Sequence, residues 1–312
     1  MRRIWVSAMV LMVAVASAIP IDLPGQSAVA RAQPASDAGR SAIYGGGPFY
    51  EGGQAVMDDL RSSGFTTVIL WSIHVHANGD LFYNDQLIVS DGQYVGDPEW
   101  PDRLRTLRQA PTSVDRIEVS VGAAGTADWE AIEDLIARHG TGPDSILYQN
   151  FLALKEATGA NAVNDDDESN YDVDSTVQFA RMANSIGYEH FTFAPYTAMS
   201  FWQGVKDELG SLVDRVYLQA YAGGTGNDPA TWSRALGMPV DPGLWSKHGT
   251  DCNDGDSPAE VESQMRTWHS SAGIPGGFMW LYDDIERCSS AGTTADYAQA
   301  INNATGGAVT AR

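Results

Sequence analysis

Short apolar runs alternate with stretches of helical periodicity along most of the chain. Runs rich in β-branched and aromatic residues, bounded by Gly, Asn, Asp or Pro, are typical of β-strands. By this criterion we predict eight strands, at residues 41–45, 66–74, 117–122, 161–168, 191–195, 215–221, 237–241 and 277–282.

Between these runs, apolar residues recur three and four positions apart, which predicts helices that bury one stripe. We expect Gly64 to end the first helix, and Asp128 and Ser175 to act as N-caps of two later ones. Ser257 begins a capping-box pattern, with Pro258 at the first helical position. The predicted helices cover residues 55–63, 129–139, 146–158, 176–186, 258–270 and 294–302, and residues 206–213 are helical or loop.

Eight strands alternating with helices over residues 41–305 predict an α/β fold, a single (β/α)8 TIM barrel. A doubly wound open sheet is the alternative. Residues 44–48 weaken it, because they lack the glycine spacing and the helix start of a phosphate-binding turn. We find no repeat or linker that would divide the barrel, and we expect residues 306–312 to form a tail.

The first 40 residues are predicted to be a signal peptide followed by a disordered segment. Arg2 and Arg3 precede an apolar run at residues 4–19, and small-x-small cleavage patterns follow it. The run is too short for a membrane span, and no other stretch is apolar enough to be one. We therefore expect a secreted, extracellular protein that has no membrane association after the signal is removed.

Cysteine content predicts a covalent cross-link, and the net charge excludes one class of partner. In an exported chain, Cys252 and Cys288 most simply form one disulfide, although two free buried thiols are the alternative. The formal net charge of −21 repels phosphate backbones, so we expect no nucleic-acid partner.

An acidic run at residues 161–168 (N-A-V-N-D-D-D-E) ends the fourth predicted strand. Strand alternation would place Asn164, Asp166 and Glu168 on one face. Two neighbouring carboxylates repel each other, so one tends to keep a proton near neutral pH, as acid-catalysed glycoside cleavage requires. The alternative is a solvated acidic loop, or a calcium loop that also uses Asp172 and Asp174 but lacks the usual glycine.

Other strand ends carry polar or aromatic side chains as well. The sixth strand would present Tyr217, Gln219 and Tyr221 on one face. Active sites of barrels lie at the carboxyl ends of the strands, so these side chains are candidates to line one. His74 and His76 share a face after the second strand, but without an obvious third ligand we interpret them as polar rim residues and predict no metal site.

With these motifs in this order, the chain resembles glycoside hydrolase family 18, the chitinases and endo-β-N-acetylglucosaminidases. The family pattern D-x-x-D-x-D-x-E is matched at Asp166 and Glu168, while Asn161 and Asn164 replace its first two acids. Three further segments resemble family motifs: residues 120–122 (S-x-G-G), residues 219–221 (Q-x-Y), and residues 276–280 (G-G-x-M-x-W, one residue short).

The resemblance implies a role for each matched residue. Glu168 would protonate the glycosidic oxygen, and Asp166 would orient the N-acetyl group of the substrate as it attacks the anomeric carbon. Tyr221 would bond the acetamido oxygen, with Gln219 beside it, and Trp280 would form the floor beneath the sugar. The chain would then be an enzyme that acts on chitin oligomers or on the chitobiose core of N-glycans, without a cofactor and as a monomer.

Asn161 and Asn164 are the two departures from the family pattern. We expect Asn164 to donate a hydrogen bond to Asp166 and favour its ionised form, and we count Asn164 and Tyr217 among the substrate-binding residues. Asp165 must find a partner or lie near the exposed end of the strand. A chitinase-like lectin without hydrolytic activity is the main alternative, and a barrel hydrolase for a sugar without the acetamido group is a third.

Overall fold

The computed structural model describes residues 39–307, and within them eight parallel strands close into a barrel surrounded by helices. The predicted signal peptide lies almost wholly outside the described residues, as do residues 308–312 of the predicted tail. In chain order the strands are β1 (Arg40–Gly45), β2 (Thr67–Val75), β3 (Leu81–Tyr83), β4 (Gln86–Ser90), β5 (Gln93–Tyr94), β6 (Arg116–Val121), β7 (Ala162–Asp165), β8 (His190–Phe193), β9 (Val213–Gln219), β10 (Asp241–Trp245) and β11 (Gly276–Trp280).

The barrel follows the order β1-β2-β6-β7-β8-β9-β10-β11, and β1 closes it by pairing in parallel with both β2 and β11. The predicted (β/α)8 class is therefore confirmed, and the open sheet is excluded. The three short strands β3, β4 and β5 form an antiparallel extension of β2 outside the barrel. Among residues 39–307, no helix combines the length and apolar content needed to cross a bilayer.

Within residues 39–307, eleven α-helices lie between or after the strands, and each contributes buried apolar residues to the main hydrophobic core. Their bounds are α1 (Gly47–Glu51), α2 (Gly53–Ser63), α3 (Trp100–Thr106), α4 (Asp128–His139), α5 (Ile146–Thr158), α6 (Val173–Ile186), α7 (Met199–Leu209), α8 (Pro229–Leu236), α9 (Pro258–Ala272), α10 (Tyr282–Arg287) and α11 (Thr294–Thr305).

The capping predictions have a mixed outcome. Gly64 ends α2 with a φ of 97°, and Ser257 forms a complete capping box with Glu260 at the start of α9. Asp128 was wrong as an N-cap, because it is the first helical residue and its carboxylate bonds β2 instead. Ser175 was also wrong, since Asp172 caps α6 by accepting from the Ser175 amide.

The seventh barrel strand lies later than predicted. Gly237 ends α8 in a left-handed conformation, and β10 begins only at Asp241. Asp241 is buried at the start of this strand and pairs with Arg40 at 2.9 Å. The predicted strand at residues 237–241 therefore overlaps the true one at a single residue.

The lower half of the barrel interior is filled by a buried ion network. The Arg116 guanidinium lies 2.7 Å from a Glu118 carboxylate oxygen and also pairs with Asp214 at 2.6 Å. Tyr217 and Thr192 donate to the two Glu118 oxygens at 2.7 and 2.6 Å. With its hydrogen-bond partners in place, this buried charge is tolerated, and it forms a rigid base beneath the open end of the barrel.

The predicted disulfide is present. Cys252, in the loop after β10, is bonded to Cys288 at the end of α10, 36 residues later. The described residues contain no free cysteine. The bond ties together two segments that follow neighbouring strands at the same end of the barrel.

We expect the double substitution Cys252→Ser and Cys288→Ser to lower the free energy of unfolding by about 4 kcal/mol, because a loop of this length loses its closure in the unfolded chain. Urea denaturation of the oxidised proteins measures the difference. Dithiothreitol should destabilise the wild type by the same amount and leave the double variant unchanged. Equal stability of variant and wild type under oxidising conditions would contradict this expectation.

Candidate active site

A cavity of about 410 Å³ opens at the carboxyl end of the barrel strands. Seven of the eight barrel strands, or the loops beyond them, contribute residues to its wall, which is mostly aromatic and small apolar with two carboxyl groups. The lining residues are Trp71, Ala123, Ala124, Asp166, Glu168, Tyr196, Gln219, Tyr221, Ala222, Gly223, Trp245 and Trp280.

Asp166 lies at the base of this cavity and is 3% exposed. Its two carboxylate oxygens accept one hydrogen bond each, from the Trp71 indole and from the Gln219 amide, both at 3.2 Å. Burial raises the pKa of Asp166 well above its usual range, and the nearby Glu168 carboxylate raises it further, while the Trp71 bond opposes the shift. Asp166 is thus oriented by two donors and held by its surroundings towards the protonated form.

Glu168 lines the same cavity but is only half-buried. Burial raises its pKa, the hydroxyl of Tyr196 acts in the opposite direction, and the Asp167 charge adds to the increase. The two carboxyl groups predicted to act together therefore share one pocket, and each makes ionisation of the other less favourable.

Strand alternation is not what brings them together, because β7 ends at Asp165. Beyond it, the chain forms a tight turn in which Asp165 accepts from the Asp167 amide at 3.0 Å. The Asp167 carboxylate accepts from three successive backbone amides, of residues 169, 170 and 171. This turn carries Glu168 into the cavity, and it commits Asp167 to the backbone rather than to calcium.

Asp165 is completely buried rather than lying at an exposed end of its strand. Burial raises its pKa well above the usual range, and the Asp167 charge adds to the effect. One carboxylate oxygen accepts from the backbone, but the other has no hydrogen-bond partner in the described structure. The sequence predicts that Asp165 has a partner, and the structure provides one for only one of its two carboxylate oxygens.

Asn164 lies one layer below the cavity and is fully buried. Its side-chain oxygen accepts from the hydroxyls of Tyr44 at 3.0 Å and Ser120 at 2.8 Å. Its amide donates to the Thr192 hydroxyl at 3.0 Å, and Thr192 in turn donates to Glu118. The predicted hydrogen bond from Asn164 to Asp166 is therefore wrong, because the Asn164 amide is directed to the barrel interior.

Tyr217 also lies beneath the cavity rather than on its wall. It is 1% exposed, and its hydroxyl is bonded to Glu118 at 2.7 Å. Its ring packs edge-on against Tyr44 and Phe278 inside the barrel. Tyr217 and Asn164 support the floor of the cavity, whereas Asp166, Glu168, Gln219, Tyr221 and Trp280 line it, as predicted.

The aromatic wall is built around Trp280 at the end of β11. Its ring stacks with Tyr221 at 6.1 Å between centroids and meets Trp71 edge-on at 4.6 Å. The Trp245 indole packs against Tyr221 and donates to Asp284 at 2.7 Å, which fixes its plane. Flat rings held in this way present apolar faces of the kind that bind the apolar faces of sugar rings.

Comparison with known proteins identifies solved structures that share this architecture. No family model matches the chain, and no curated protein matches it significantly. A fungal endo-β-N-acetylglucosaminidase from glycosyl hydrolase family 18 is similar in structure, with a TM-score of 0.61 and 15% identity over 84% of this chain and 98% of that one. The chain has the fold of the family 18 glycoside hydrolases.

Two other solved structures, both of chitinases, are also similar. The catalytic domain of a family 18 chitinase from the fern Peteris ryukyuensis has a TM-score of 0.59 and 16% identity, over 85% of this chain and 99% of that one. A chitinase from Bacteroides thetaiotaomicron has a TM-score of 0.58 and 12% identity, over 85% and 96% of the two chains. The likeness covers the whole barrel.

Three aromatic residues of the cavity wall are missing from the sequence prediction. Trp71 is two residues beyond Ile69 in the same strand, and alternation would have directed both to the interior. Tyr196 follows β8 in the same way that Glu168 follows β7, so its place at a strand end was a usable signal. Trp245 was missed because the strand that it ends was assigned too early.

The two rim histidines lie in a separate cleft. His74 is 2.9 Å from Asp128, whose other oxygen accepts from the Val75 amide, and His76 stacks on Phe82 at 4.0 Å. No group of three or more His, Cys, Asp or Glu residues suited to a metal ion occurs within residues 39–307. The pair is accounted for by packing at the barrel rim.

Proposed function

We propose that this protein is a secreted glycoside hydrolase that cleaves β-1,4 bonds next to N-acetylglucosamine by substrate-assisted catalysis. The observation that carries the proposal is the convergence of Asp166, Glu168 and Tyr221 in one aromatic-walled cavity at the carboxyl end of the strands. A buried carboxyl held by two donors beside a second, more exposed carboxyl is the arrangement this chemistry needs. The similar structures include chitinases and an endo-β-N-acetylglucosaminidase, which agrees with this substrate class.

In the proposed reaction, Glu168 transfers its proton to the glycosidic oxygen as the bond from that oxygen to the anomeric carbon breaks. The N-acetyl oxygen of the same sugar forms the new bond to that carbon and gives an oxazolinium ion. Water then attacks the anomeric carbon and displaces the acetamido oxygen, whose bond to that carbon breaks to restore the amide, and the Glu168 carboxylate accepts the proton of the water. Each proton and electron pair is balanced within the substrate, water and Glu168, so no protein nucleophile is needed.

Asp166 would act on the acetamido group. Its carboxyl is fixed by Trp71 and Gln219, so it can orient the amide and, in its ionised form, stabilise the positive charge of the oxazolinium ion. Tyr221 would add a hydroxyl to the same group, since it shares the cavity with Asp166 and stacks on Trp280. The stacked rings would hold the sugar above the two carboxyl groups.

Product analysis tests the proposal directly. The mature protein is incubated with chitin oligosaccharides and, separately, with a high-mannose glycopeptide, and the products are identified by mass spectrometry. Hydrolysis of either substrate supports the enzyme, and the substrate cleaved decides between chitin and N-glycan. Binding without any product would replace the proposal with the lectin, and absence of both binding and product would remove this substrate class.

The pH dependence of activity follows from the carboxyl pair. Burial raises the pKa of both Asp166 and Glu168. A raised pKa keeps the acid protonated at higher pH, so Glu168 should remain a proton donor above the ordinary glutamate pKa of about 4.3. We expect kcat/KM to be maintained in mildly acidic solution and to fall as the pair loses its last proton, with apparent pKa values that belong to the pair.

A pH profile on a soluble chitin oligosaccharide measures this alkaline limb. Protein stability is followed in parallel by circular dichroism at each pH, so that unfolding is separated from titration. An alkaline limb at or below the pKa of an exposed glutamate would contradict the expectation.

A further inference from the structure

Tyr196, which follows β8, is held in the cavity by its backbone and by the shape of the wall. The Asn227 side-chain amide donates to the Tyr196 carbonyl and to the Gln219 carbonyl, both at 2.9 Å. The ring lies against Gly223, where a Cβ atom would come within 2.9 Å of a ring carbon. Any larger residue at Gly223 would displace the ring, so the wall leaves this space for Tyr196.

Tyr196 and Glu168 line the same cavity, and the Tyr196 hydroxyl is the side-chain donor that favours the charged form of Glu168 and so lowers its pKa. Hydrogen bonds that act in catalysis are often long in a ligand-free site and tighten once substrate is bound. Tyr196 is thus placed to meet Glu168 as its charge develops.

The other groups around Glu168 make the contribution of Tyr196 distinctive. Asp166 lies in the same cavity, and Asp167 precedes Glu168 in the turn; neither carboxyl can stabilise a negative charge on Glu168. Tyr221 lies beside both carboxyls, but its own hydroxyl is buried near Asp166. Tyr171 lies behind Tyr196 and interacts with its hydroxyl. Within the described chain, Tyr196 is the group whose side chain offers a donor to the Glu168 carboxylate.

We propose that Tyr196 is a positioning residue for the proton donor: its phenol orients the Glu168 carboxyl and stabilises the carboxylate left after proton transfer. The inference rests on the proposed function, since it names a partner for the acid of that same site. During bond cleavage the proton moves from Glu168 to the glycosidic oxygen, and the phenol keeps its own proton throughout. The phenol then holds the carboxylate ready to accept a proton from water.

The substitution Tyr196→Phe removes the hydroxyl and keeps the ring against Gly223. We expect the alkaline limb of kcat/KM to move to higher pH, because the group that favours ionised Glu168 is lost. We also expect kcat at the optimum to fall by about tenfold, as for a lost hydrogen bond to a charged group, with KM changing much less. Tyr148→Phe is the matched control, since it removes a hydroxyl on α5, outside the cavity, and should leave the limb in place.

A measurement that does not depend on turnover accompanies the kinetics. Carboxyl ¹³C NMR of glutamate-labelled protein, with Glu168 assigned by comparison with Glu168→Gln, gives the pKa of Glu168 in wild type and in Tyr196→Phe. A higher pKa in the variant supports the inference. An unchanged pKa, or a limb that moves to lower pH in a folded variant, overturns it. Wild-type protein that is inactive on every substrate would instead count against the proposed function.

Discussion

Replacing Glu168 with glutamine is expected to lower kcat by roughly 10²- to 10⁴-fold, the usual contribution of a positioned general acid. Glutamine keeps the shape and the hydrogen-bonding capacity of the side chain but has no proton to transfer at the pH of the reaction. The other carboxyl of the cavity, Asp166, cannot substitute, because Trp71 and Gln219 fix it at the cavity base. Substrate affinity should be retained, since the aromatic wall is unchanged.

The leaving group provides the internal test of this role. An aryl glycoside with an acidic phenol needs little proton donation, so the loss in Glu168→Gln should be much smaller with that substrate than with a sugar leaving group. Single-turnover kinetics on both substrates, with oligosaccharide affinity from calorimetry, measure the difference. Equal losses on the two substrates would show that the substitution damages the site rather than removing its acid.

Glu133→Gln is a suitable control for the change itself. Glu133 is an exposed acid on α4 whose carboxylate accepts from the Asn170 side chain, outside the cavity. Removing its charge alters the net charge of the protein as Glu168→Gln does. Its activity should match the wild type on both substrates.

The barrel could be predicted because strands and helices each have a characteristic local periodicity of apolar residues. Eight alternating strand–helix units are compatible with few architectures. The strand predicted at residues 237–241 is an example that local periodicity does not determine. Strand β10 begins Asp241-Pro242-Gly243, three residue types that are depleted in strands. Its place is fixed by pairing with β9 and β11 and by the ion pair to Arg40, 201 positions away in the chain. No local pattern contains that information.

The antiparallel extension of β2 was missed for a different reason. Asp91-Gly92 connects β4 and β5, and a two-residue Asp-Gly turn is a recognised hairpin signal. The strands it joins are very short, and β5 has only two residues. The signal was present but was too weak to separate from loop.

The sequence predicts those cavity residues that lie at the ends of recognisable strands. Asp166, Gln219, Tyr221 and Trp280 meet because neighbouring parallel strands end at one face of a barrel. The sequence did not reveal which way Asn164 would turn, since that depends on hydroxyl groups from β1, β6 and β8 that converge only in the fold.

We expect Asn164→Asp, which restores the acid of the family pattern, to destabilise the protein at neutral pH. The side chain at this position must donate a proton to Thr192, because the single hydroxyl proton of Thr192 is already given to Glu118 at 2.6 Å. An ionised carboxylate would face the Thr192 oxygen with no donor between them. Leaving such a buried group unsatisfied costs about 1–3 kcal/mol, and more where it is charged.

The aspartate would avoid most of this cost by staying protonated, which makes its penalty depend on pH. Its folded-state pKa would be raised above the unfolded value, so the variant should approach wild-type stability at low pH and lose stability as pH rises through that folded-state pKa. Thermal unfolding of both proteins between pH 5 and pH 8 measures the difference. A melting temperature that stays equal to wild type at pH 8 would show that the amide donor is not required.

A double-mutant cycle with Glu118→Gln locates the cause in the hydrogen-bond chain. A glutamine at position 118 can donate to the Thr192 oxygen, which frees the Thr192 hydroxyl to donate to an aspartate at position 164. The Arg116 guanidinium keeps its pairing with Asp214 in that background. We therefore expect Asn164→Asp to cost less in the Glu118→Gln protein than in the wild type, and additive losses would place the penalty elsewhere. Thr192 donates its hydroxyl proton to Glu118, so it can only accept a hydrogen bond from the side chain at position 164. Asparagine provides the donor that this position requires, and an ionised aspartate does not.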